Sequence, residues 1–388
     1  MNNGHTIEIK TLTPLWTGGV DRKCDRLHET GIIGSMRWWY EAIVRGLGGY
    51  ACDPSSDPCK YNGENGLANI CLACQIFGCT GYGRRFRLVV QANGNLGQLI
   101  EVKLSKLGDH NHRGWRMPVN SADSVTLSVL PMREDGLQDF EITALYYTVC
   151  LIEQYGALGA KTSHGQGVIK VSDWGNLTAK MSVDEWCEKL KQRPAKKSNN
   201  VTDVPNFNNF VGVMVVTVVI DNSDLNADDL WNIIRLEARQ LNGQAWNINK
   251  NNTWIPSAPA FRAVLRDWLR NNKNIPGFTG NLNSERHRLM GTTQRWDDPN
   301  SRQARDRPKG SDIFVTHLYK FNKRWAMRVF GFVSSNGNEV DVEFRNLLLI
   351  PDKLKTELQQ VLGNLPVRIM PYPTDLKALL GTAQGEQL

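Results

Sequence analysis

The chain has 388 residues, of which 41% are hydrophobic and 22% are charged, as expected for a folded protein with room for two domains. Its formal net charge of +7 permits a polyanionic partner without requiring one. No apolar run is long enough to span a bilayer, and the N-terminus lacks the basic start and apolar stretch of a signal peptide. These features exclude a membrane-spanning chain and predict a cytoplasmic protein.

The first half of the chain alternates between strand and helix patterns. Its elements, in chain order, are a strand over 6–12, a helix over 35–49, strands over 84–92, 98–104 and 125–130, a helix over 141–156 and a strand over 168–172. We expect the strand over 98–104 to pair with its predecessor. The order is that of a ferredoxin-like domain, predicted over residues 1–190.

A polar segment with two prolines, residues 190–209, is interpreted as a linker. Beyond it the patterns predict a buried strand over 210–220, a helix over 258–272, strands over 312–319 and 326–335, a helix over 352–363 and a strand over 366–370. This order repeats that of the first half. The fold class is therefore α+β, with a second ferredoxin-like domain over residues 208–388.

A cysteine-rich insert over residues 51–83 interrupts the first domain. Four of its cysteines supply soft ligands for a tetrahedral zinc site: Cys52, Cys59, Cys71 and Cys74. Cys71 and Cys74 have the CxxC spacing of a zinc knuckle. The segment that connects Cys52 and Cys59 to this pair has no apolar periodicity, so a bound metal would order it. The alternatives are ordinary buried thiols, or a site in which Cys79, interpreted as a core residue, replaces Cys52 or Cys59.

Several arginines lie where an anion could bind. With Ser35 as the predicted N-cap of the first helix, Arg37 falls among free amides at the positive end of the helix dipole. A salt bridge to Glu41, or plain exposure, is the alternative. Strand alternation is expected to place Arg85 and Arg87 on one face.

The glycine loop over residues 157–167 combines backbone freedom with Lys161, Ser163 and His164. Such a loop can hold a phosphate through its amides, although it is not a P-loop, and a flexible connection is the alternative.

A basic stretch over residues 283–310 interleaves arginine with Trp296. Between 284 and 309 it has six arginines and one lysine against four acidic residues, a net charge of +3. Arginine beside aromatic rings suits single-stranded nucleic acid, and Arg286 and Arg295 are the candidate contacts. A solvated loop is the alternative.

The residues offer little support for catalysis. The sequence lacks the HExxH and GxSxG motifs, and its seven histidines are scattered. His28 shares the first loop with Asp21 and Asp25, and His164 lies in the glycine loop. RNA cleavage assisted by a histidine is the alternative that these positions leave open.

Together these features resemble the RAMP superfamily of CRISPR proteins, and within it the first subunits of type III-B (Cmr) effector complexes. The stretches that carry the resemblance are LTPLWTGG (12–19), TGIIGSMRWWYEAIVRGLGGYACDP (30–54), CLACQIFGCTGYGRRFRL (71–88) and LGAKTSHGQG (158–167). The second half matches more loosely, through HRLMG (287–291) and RVFGFV (328–333).

The resemblance implies two RAMP domains and RNA as the ligand. In RAMP proteins the first helix and the glycine-rich loop face the guide RNA, which by position implicates Arg37, Trp38, Arg45, Lys161, Ser163 and His164. It also implies a non-catalytic subunit at the head of the complex, beside the 3′ part of the guide RNA and the paired target RNA, with other Cmr subunits as partners. Zinc is not implied by the family and rests on cysteine spacing alone.

The resemblance also leaves RNA cleavage by this chain as an alternative. In this family the backbone subunits cut target RNA with a loop aspartate, and Asp21 and Asp25 lie in a comparable loop here. A RAMP endoribonuclease is therefore the alternative function.

Overall fold

The computed structural model describes residues 4–19, 24–93, 98–104, 115–118, 122, 124–197, 204–218, 225–272, 275–292, 296–297, 304–305 and 309–382. Asp21 and Arg295, both named above, lie outside these ranges. Among the described residues, none of the helices is both long and apolar enough to cross a membrane.

The described residues of the first half form ten helices and strands. They are β1 (His5–Thr11), α1 (Glu29–Gly46), α2 (Leu72–Phe77), β2 (Phe86–Asn93), β3 (Leu99–Leu104), β4 (Trp115–Pro118), β5 (Ser124–Pro131), α3 (Asp139–Tyr155), β6 (Ile169–Asp173) and α4 (Val183–Gln192). Four of the strands form an antiparallel sheet in the order β2-β5-β1-β6. The last strand lies beside the first, as in a ferredoxin-like domain, and this prediction is confirmed.

The elements of the second half follow in the same pattern. They are β7 (Phe210–Thr217), α5 (Ala227–Ile234), β8 (Leu236–Gln240), β9 (Trp254–Ile255), α6 (Ala258–Asn271), α7 (Leu282–Met290), β10 (Trp296–Asp297), β11 (Ala304–Arg305), β12 (Ile313–Val315), β13 (Leu318–Phe321), β14 (Arg324–Phe332), α8 (Glu339–Leu349), α9 (Pro351–Leu362), β15 (Val367–Pro371) and α10 (Leu376–Thr382). The main sheet has the order β15-β7-β14-β13-β9, and β12 also pairs with β14. Here too the last strand lies beside the first, so the repeated ferredoxin-like order is confirmed.

Hydrophobic alternation explains the sheets. In β1 the buried Ile7 and Ile9 pair with Leu127 and Val125 of β5, so that one face of the sheet is apolar. All eight residues of β7 are buried, as expected for a central strand covered on both faces. The buried apolar residues of the two halves form one continuous core, and the domain boundaries given above stay a prediction.

Three elements differ from the sequence predictions. α1 begins at Glu29, six residues before the expected N-cap Ser35, because Ile32 and Ile33 are buried and Gly31 packs closely on Thr17. The predicted strand over 312–319 is broken into β12 and β13. β3 pairs with β4 and β8 instead of β2, and this third sheet joins the two halves of the chain.

Candidate metal centre and nucleic-acid interface

Four buried cysteines converge beside α1. All their Sγ atoms lie within 4.8 Å of one another: Cys52, Cys59, Cys71 and Cys74. Cys52 Sγ is 3.6 Å from Cys74 Sγ and 3.7 Å from Cys71 Sγ. Thiolates around a tetrahedral zinc with bonds of about 2.3 Å are separated by roughly 3.8 Å, so the donor set and its spacing fit zinc. Cys79 is half-buried and lies outside this group.

Local backbone geometry holds the sulfurs in place. Cys71 is the N-cap of α2, and its Sγ accepts a hydrogen bond from the Cys74 amide at 3.5 Å, while the Cys71 amide donates to Cys59 Sγ at 3.4 Å. Hydrogen bonds from Cys59 and the other two thiols lower the pKa of Cys52, whereas the pKa of Cys74 is raised by its hydrogen bond with Cys52. Four thiolates this close repel one another, so their full deprotonation requires a bound cation.

Arg37 brings a positive charge to the cluster. Its Nη2 donates to Cys74 Sγ at 3.2 Å and lies 3.8 Å from Cys52 Sγ, and its Nη1 donates to the Gly78 carbonyl at 2.8 Å. Its Nε donates to Glu41 at 2.7 Å, which is the salt bridge named as the alternative. Burial lowers the pKa of Arg37, but Glu41 and the thiols raise it overall. Arg37 lies in the middle of α1, so the expected anion site at a helix N-terminus is wrong.

Two other residues of α1 contact the linker and the second half of the chain. Arg45 donates to the carbonyls of Pro205 at 2.9 Å and Cys52 at 2.8 Å, and it is buried. The Trp38 ring packs edge to face on Phe332, with 5.4 Å between ring centroids. These contacts join α1 to the insert and to the C-terminal sheet. RNA binding by Trp38 and Arg45 stays a prediction.

Arg85 and Arg87 do not share a face. Arg85 precedes β2 and is buried, with its guanidinium 3.0 Å from both Glu141 and Asp135, whereas Arg87 is exposed. The expected alternation fails because the buried carboxylate of Glu141 draws Arg85 inward. Of this pair, Arg87 is the residue with its side chain in solvent.

The glycine loop is anchored near both of its ends. The Gly159 amide donates to Ser35 Oγ of α1 at 3.0 Å, and the Gly167 amide donates to the Pro14 carbonyl at 2.9 Å. Gly159 and Gly167 both have positive φ, which the loop requires in order to pass so close to neighbouring backbone. Ser35 therefore holds the loop instead of capping α1.

Three consecutive backbone amides at the tip of this loop are available to bind an anion. The amides of Lys161, Thr162 and Ser163 donate to no acceptor in the described part of the chain. Lys161 has a left-handed backbone, with φ of 55°, and its ammonium lies 4.0 Å from the centroid of the Trp16 ring. No carboxylate among the described residues forms a salt bridge with Lys161. The loop can thus offer several hydrogen-bond donors and one charge to a phosphate.

His164 lies beside this tip, with its ring centroid 5.1 Å from that of Trp115. Burial, and then the charges of Arg262 and Lys161, lower the pKa of His164 to about 4. The imidazole is therefore neutral near pH 7, where it can donate or accept a hydrogen bond but adds no charge.

A buried histidine, His317, links the glycine loop to the second half. Its Nδ1 accepts a hydrogen bond from the Ala258 amide at 3.1 Å, so the ring proton is on Nε2. The side-chain amide of Gln166 is 3.1 Å from Nε2, and Gln166 Oε1 has no partner in the described part of the chain. Exchanging the oxygen and nitrogen of this amide lets Oε1 accept the Nε2 proton and satisfies both groups.

Acid is expected to weaken this contact between the halves. Burial lowers the folded pKa of His317 to about 3 and that of His164 to about 4, from an ordinary value of 6.5. Stability is thus full above pH 6.5 and falls as the pH drops from 6.5 towards these values, because the unfolded chain then binds more protons. By urea unfolding, we expect a loss of about 1–2 kcal/mol per histidine between pH 7.5 and 5.

The double variant His164→Gln/His317→Gln is the control for this expectation, because carboxylates titrate in the same range. A stability profile with the same slope in the variant and the wild type would contradict it.

Sequence reasoning missed a row of arginines on α6, namely Arg262, Arg266 and Arg270. Their spacing of four residues within the predicted helix over 258–272 was the available signal. α7 packs beside α6 and carries Arg286 and His287.

One protein-family model matches much of the first half of the chain. Residues 8–170 match the model of the RAMP superfamily. No curated protein sequence matches the chain.

Three solved structures resemble the chain at low identity. The crystal structure of Cmr1 from Pyrococcus furiosus in its apo form is 13% identical, with 95% of this chain and 98% of that chain covered and a TM-score of 0.42. A chain of a type III-B Cmr-beta complex bound to cognate target RNA is 12% identical, with coverages of 92% and 100% and a TM-score of 0.48. A chain from such a complex that also holds AMPPnP is 11% identical, with coverages of 90% and 100% and a TM-score of 0.45.

These likenesses are too distant to carry an argument, and the fold assignment rests on the strand order and on the family match. Over residues 8–170, therefore, this chain is similar to proteins of the RAMP superfamily.

Proposed function

We propose that this chain is a non-catalytic RNA-binding subunit of a type III-B CRISPR effector complex in antiviral defence. It binds the 3′ part of the guide RNA, the paired target RNA, or both, and contacts other Cmr subunits. The RAMP match over residues 8–170 and the sequence stretches that resemble Cmr first subunits support this assignment. The observation that carries RNA binding is the tip of the glycine loop, where the amides of residues 161–163 have no acceptor among the described residues and lie next to the ammonium of Lys161.

Such a site binds phosphate and ignores base identity. Backbone amides and an ammonium recognise the anionic oxygens that every nucleotide presents. A protein that holds guide RNA must accept any spacer sequence, so phosphate-directed contacts suit the role. Lys161, Ser163, His164, Arg87 and Arg286 are the proposed contacts.

The other proposed contacts from the first half already have partners within the protein. Arg37, Arg45 and Arg85 bond to the thiol cluster, to carbonyls and to carboxylates, so their contribution to RNA binding lies in holding α1, the insert and β2 in position. Arg295 lies outside the described residues. We further propose that Cys52, Cys59, Cys71 and Cys74 hold a structural zinc, which supplies order to the insert and no chemistry.

Replacing Lys161 by glutamine tests the assignment. We expect about fivefold weaker binding of a single-stranded oligouridylate at 0.1 M salt, since one phosphate contact contributes a salt slope of about 0.7. Fluorescence anisotropy with the full chain measures it, and Lys355→Gln, at an exposed lysine on α9, is the matched control.

RNA contact by the glycine loop and membership of an effector complex can be tested separately. Equal binding by wild type and Lys161→Gln would remove the glycine loop from the interface. A tagged chain that co-purifies with neither guide RNA nor other Cmr subunits, from cells carrying the whole locus, would remove the effector assignment.

An endoribonuclease is the second candidate, favoured by one surface pair. His28 Nε2 lies 2.8 Å from Asp25 Oδ1 at the start of α1, and this hydrogen bond lowers the pKa of Asp25. A histidine oriented by a carboxylate can act as a general base. Metal-independent RNA cleavage that is lost in His28→Ala or His164→Ala would establish the enzyme and overturn the non-catalytic assignment.

A further inference from the structure

A graded row of arginines leads away from the glycine loop along α6. Arg262, Arg266 and Arg270 recur every fourth residue, so they lie on one face and span about 12 Å at 1.5 Å per residue. Arg262 is buried, Arg266 is half-buried and Arg270 is exposed. α7 places Arg286 beside this row. The cations therefore run from the protein interior to the surface.

Arg262 anchors the row. Its Nη1 donates to the Ile313 carbonyl at 2.9 Å and its Nη2 to the Met290 carbonyl at 2.8 Å, which ties α6 to β12 and to the end of α7. Its charge also helps to lower the pKa of His164, so the row begins next to the glycine loop. The two Nη atoms of Arg262 thus hold α6 against its neighbours, and the arginines beyond it lie nearer the surface.

The outer arginines lack strong acidic partners. In the part of the chain that the structure describes, no carboxylate forms a salt bridge with Arg266 or Arg286. Arg266 makes a long hydrogen bond, of 3.4 Å, to the Gly291 carbonyl. Arg286 Nη2 lies 2.9 Å from His287 Nε2, and among the described residues the buried Nε of Arg286 has no partner. Arg270 faces Asp267 at 3.8 Å on the surface, a contact of little strength.

The electrostatics agree with this geometry. Burial, and then the charge of Arg286, lower the pKa of Arg266, and burial followed by the charge of Arg270 lowers the pKa of Arg286. Arg286 therefore repels both Arg266 and Arg270, and the charge of Asp267 offsets part of this repulsion. An anion placed among them would relieve this repulsion, and planar guanidinium groups bind phosphate oxygens in pairs.

We propose that Arg266, Arg270 and Arg286 form a phosphate-binding track that continues from the glycine loop onto the second half and holds the backbone of single-stranded RNA. The inference rests on the proposed function and deepens it. The track is long enough for more than one phosphate, and its continuity with Lys161 and His164 favours RNA over an acidic peptide.

The salt dependence of RNA binding by the double variant Arg266→Gln/Arg270→Gln tests the track. Each phosphate contact contributes about 0.7 to the slope of log K against log salt for single strands. Losing two contacts should reduce the slope by about 1.4 and weaken binding of a 20-nucleotide oligouridylate about 25-fold at 0.1 M salt. The full-length chain is used throughout. The matched control is Lys323→Gln/Arg324→Gln, which removes two exposed cations at the turn between β13 and β14.

Two further measurements show whether Arg266 and Arg270 act through their charge or only support the fold. Arg266→Lys/Arg270→Lys keeps both charges and should retain the wild-type slope, whereas a purely structural role would leave the slope unchanged in the glutamine variant. Poly-glutamate is then tested as a competitor of RNA. If the wild type binds this peptide more tightly than RNA, the track is a protein-binding surface and the inference is overturned.

The outcomes distinguish this inference from the proposed function. If Lys161→Gln weakens RNA binding but the α6 double variant keeps the wild-type slope, the track is wrong and the glycine loop stands. If the wild-type chain binds no RNA alone and co-purifies with no guide RNA, both are overturned.

Discussion

Replacement of Cys71 by serine is expected to abolish zinc binding and to destabilise the N-terminal half severely. The Sγ of Cys71 lies 3.7 Å from Cys52 Sγ and accepts the Cys74 amide, so its loss opens the tetrahedron and leaves Arg37 beside an incomplete, buried set of thiols. Structural zinc contributes about 10–16 kcal/mol in small peptides, and even half of that exceeds the stability of many domains. We expect the melting temperature to fall by more than about 10 °C.

Metal content and thermal unfolding measured on the same samples check this expectation. Cys79→Ser is the matched control, because Cys79 lies nearby but outside the group of four. One zinc per chain in the wild type and in Cys79→Ser, with none in Cys71→Ser, is the predicted result. Zinc that is lost from Cys79→Ser and kept in Cys71→Ser would show that the ligand set is wrong.

Replacement of Gly167 by alanine is expected to disrupt the glycine loop. Gly167 has φ of +86°, and an added Cβ would lie 2.0 Å from the Leu158 carbonyl oxygen, which is backbone and cannot rotate away. The same two residues are joined by a hydrogen bond from the Leu158 amide to the Gly167 carbonyl at 2.8 Å. We expect a destabilisation of more than about 3 kcal/mol together with loss of RNA binding.

Calorimetry and anisotropy on the same preparation measure both effects. The control is Gly83→Ala, at a glycine with open space around its Cβ position and no positive φ, and it should behave as the wild type. Equal melting temperatures for the two alanine variants would contradict the loop geometry.

Much of the fold follows from local pattern. The alternation of apolar and polar residues in β1 and the continuous apolar run of β7 predict inner strands of the two main sheets. A strand buried on one face alternates apolar with polar residues, whereas a strand buried on both faces is apolar throughout. The four-cysteine cluster was equally predictable, since ligand spacing is short and metal chemistry admits few residue types.

The bonding partners of the charged side chains are distant in sequence, so no local sequence pattern predicts them. Arg37 reaches Cys74, and Arg85 reaches Glu141, across stretches of chain whose path is set by the whole fold. The start of α1 was missed for a related reason. Ser35 is a residue type that favours an N-cap, but in the fold its hydroxyl accepts a hydrogen bond from Gly159, and Gly31 within the helix packs closely on Thr17.

The sheet that joins the two halves cannot be completed until late in synthesis of the chain. Ile100 of β3 pairs with Gln240 of β8, which the ribosome adds 140 residues later. At translation rates of roughly 5–20 residues per second, one edge of β3 waits about 7–28 s for its partner. The N-terminal ferredoxin-like sheet is complete once β6 has emerged, well before β8 is made. During that interval the nascent chain exposes an unpaired strand edge, the kind of surface on which chains associate wrongly.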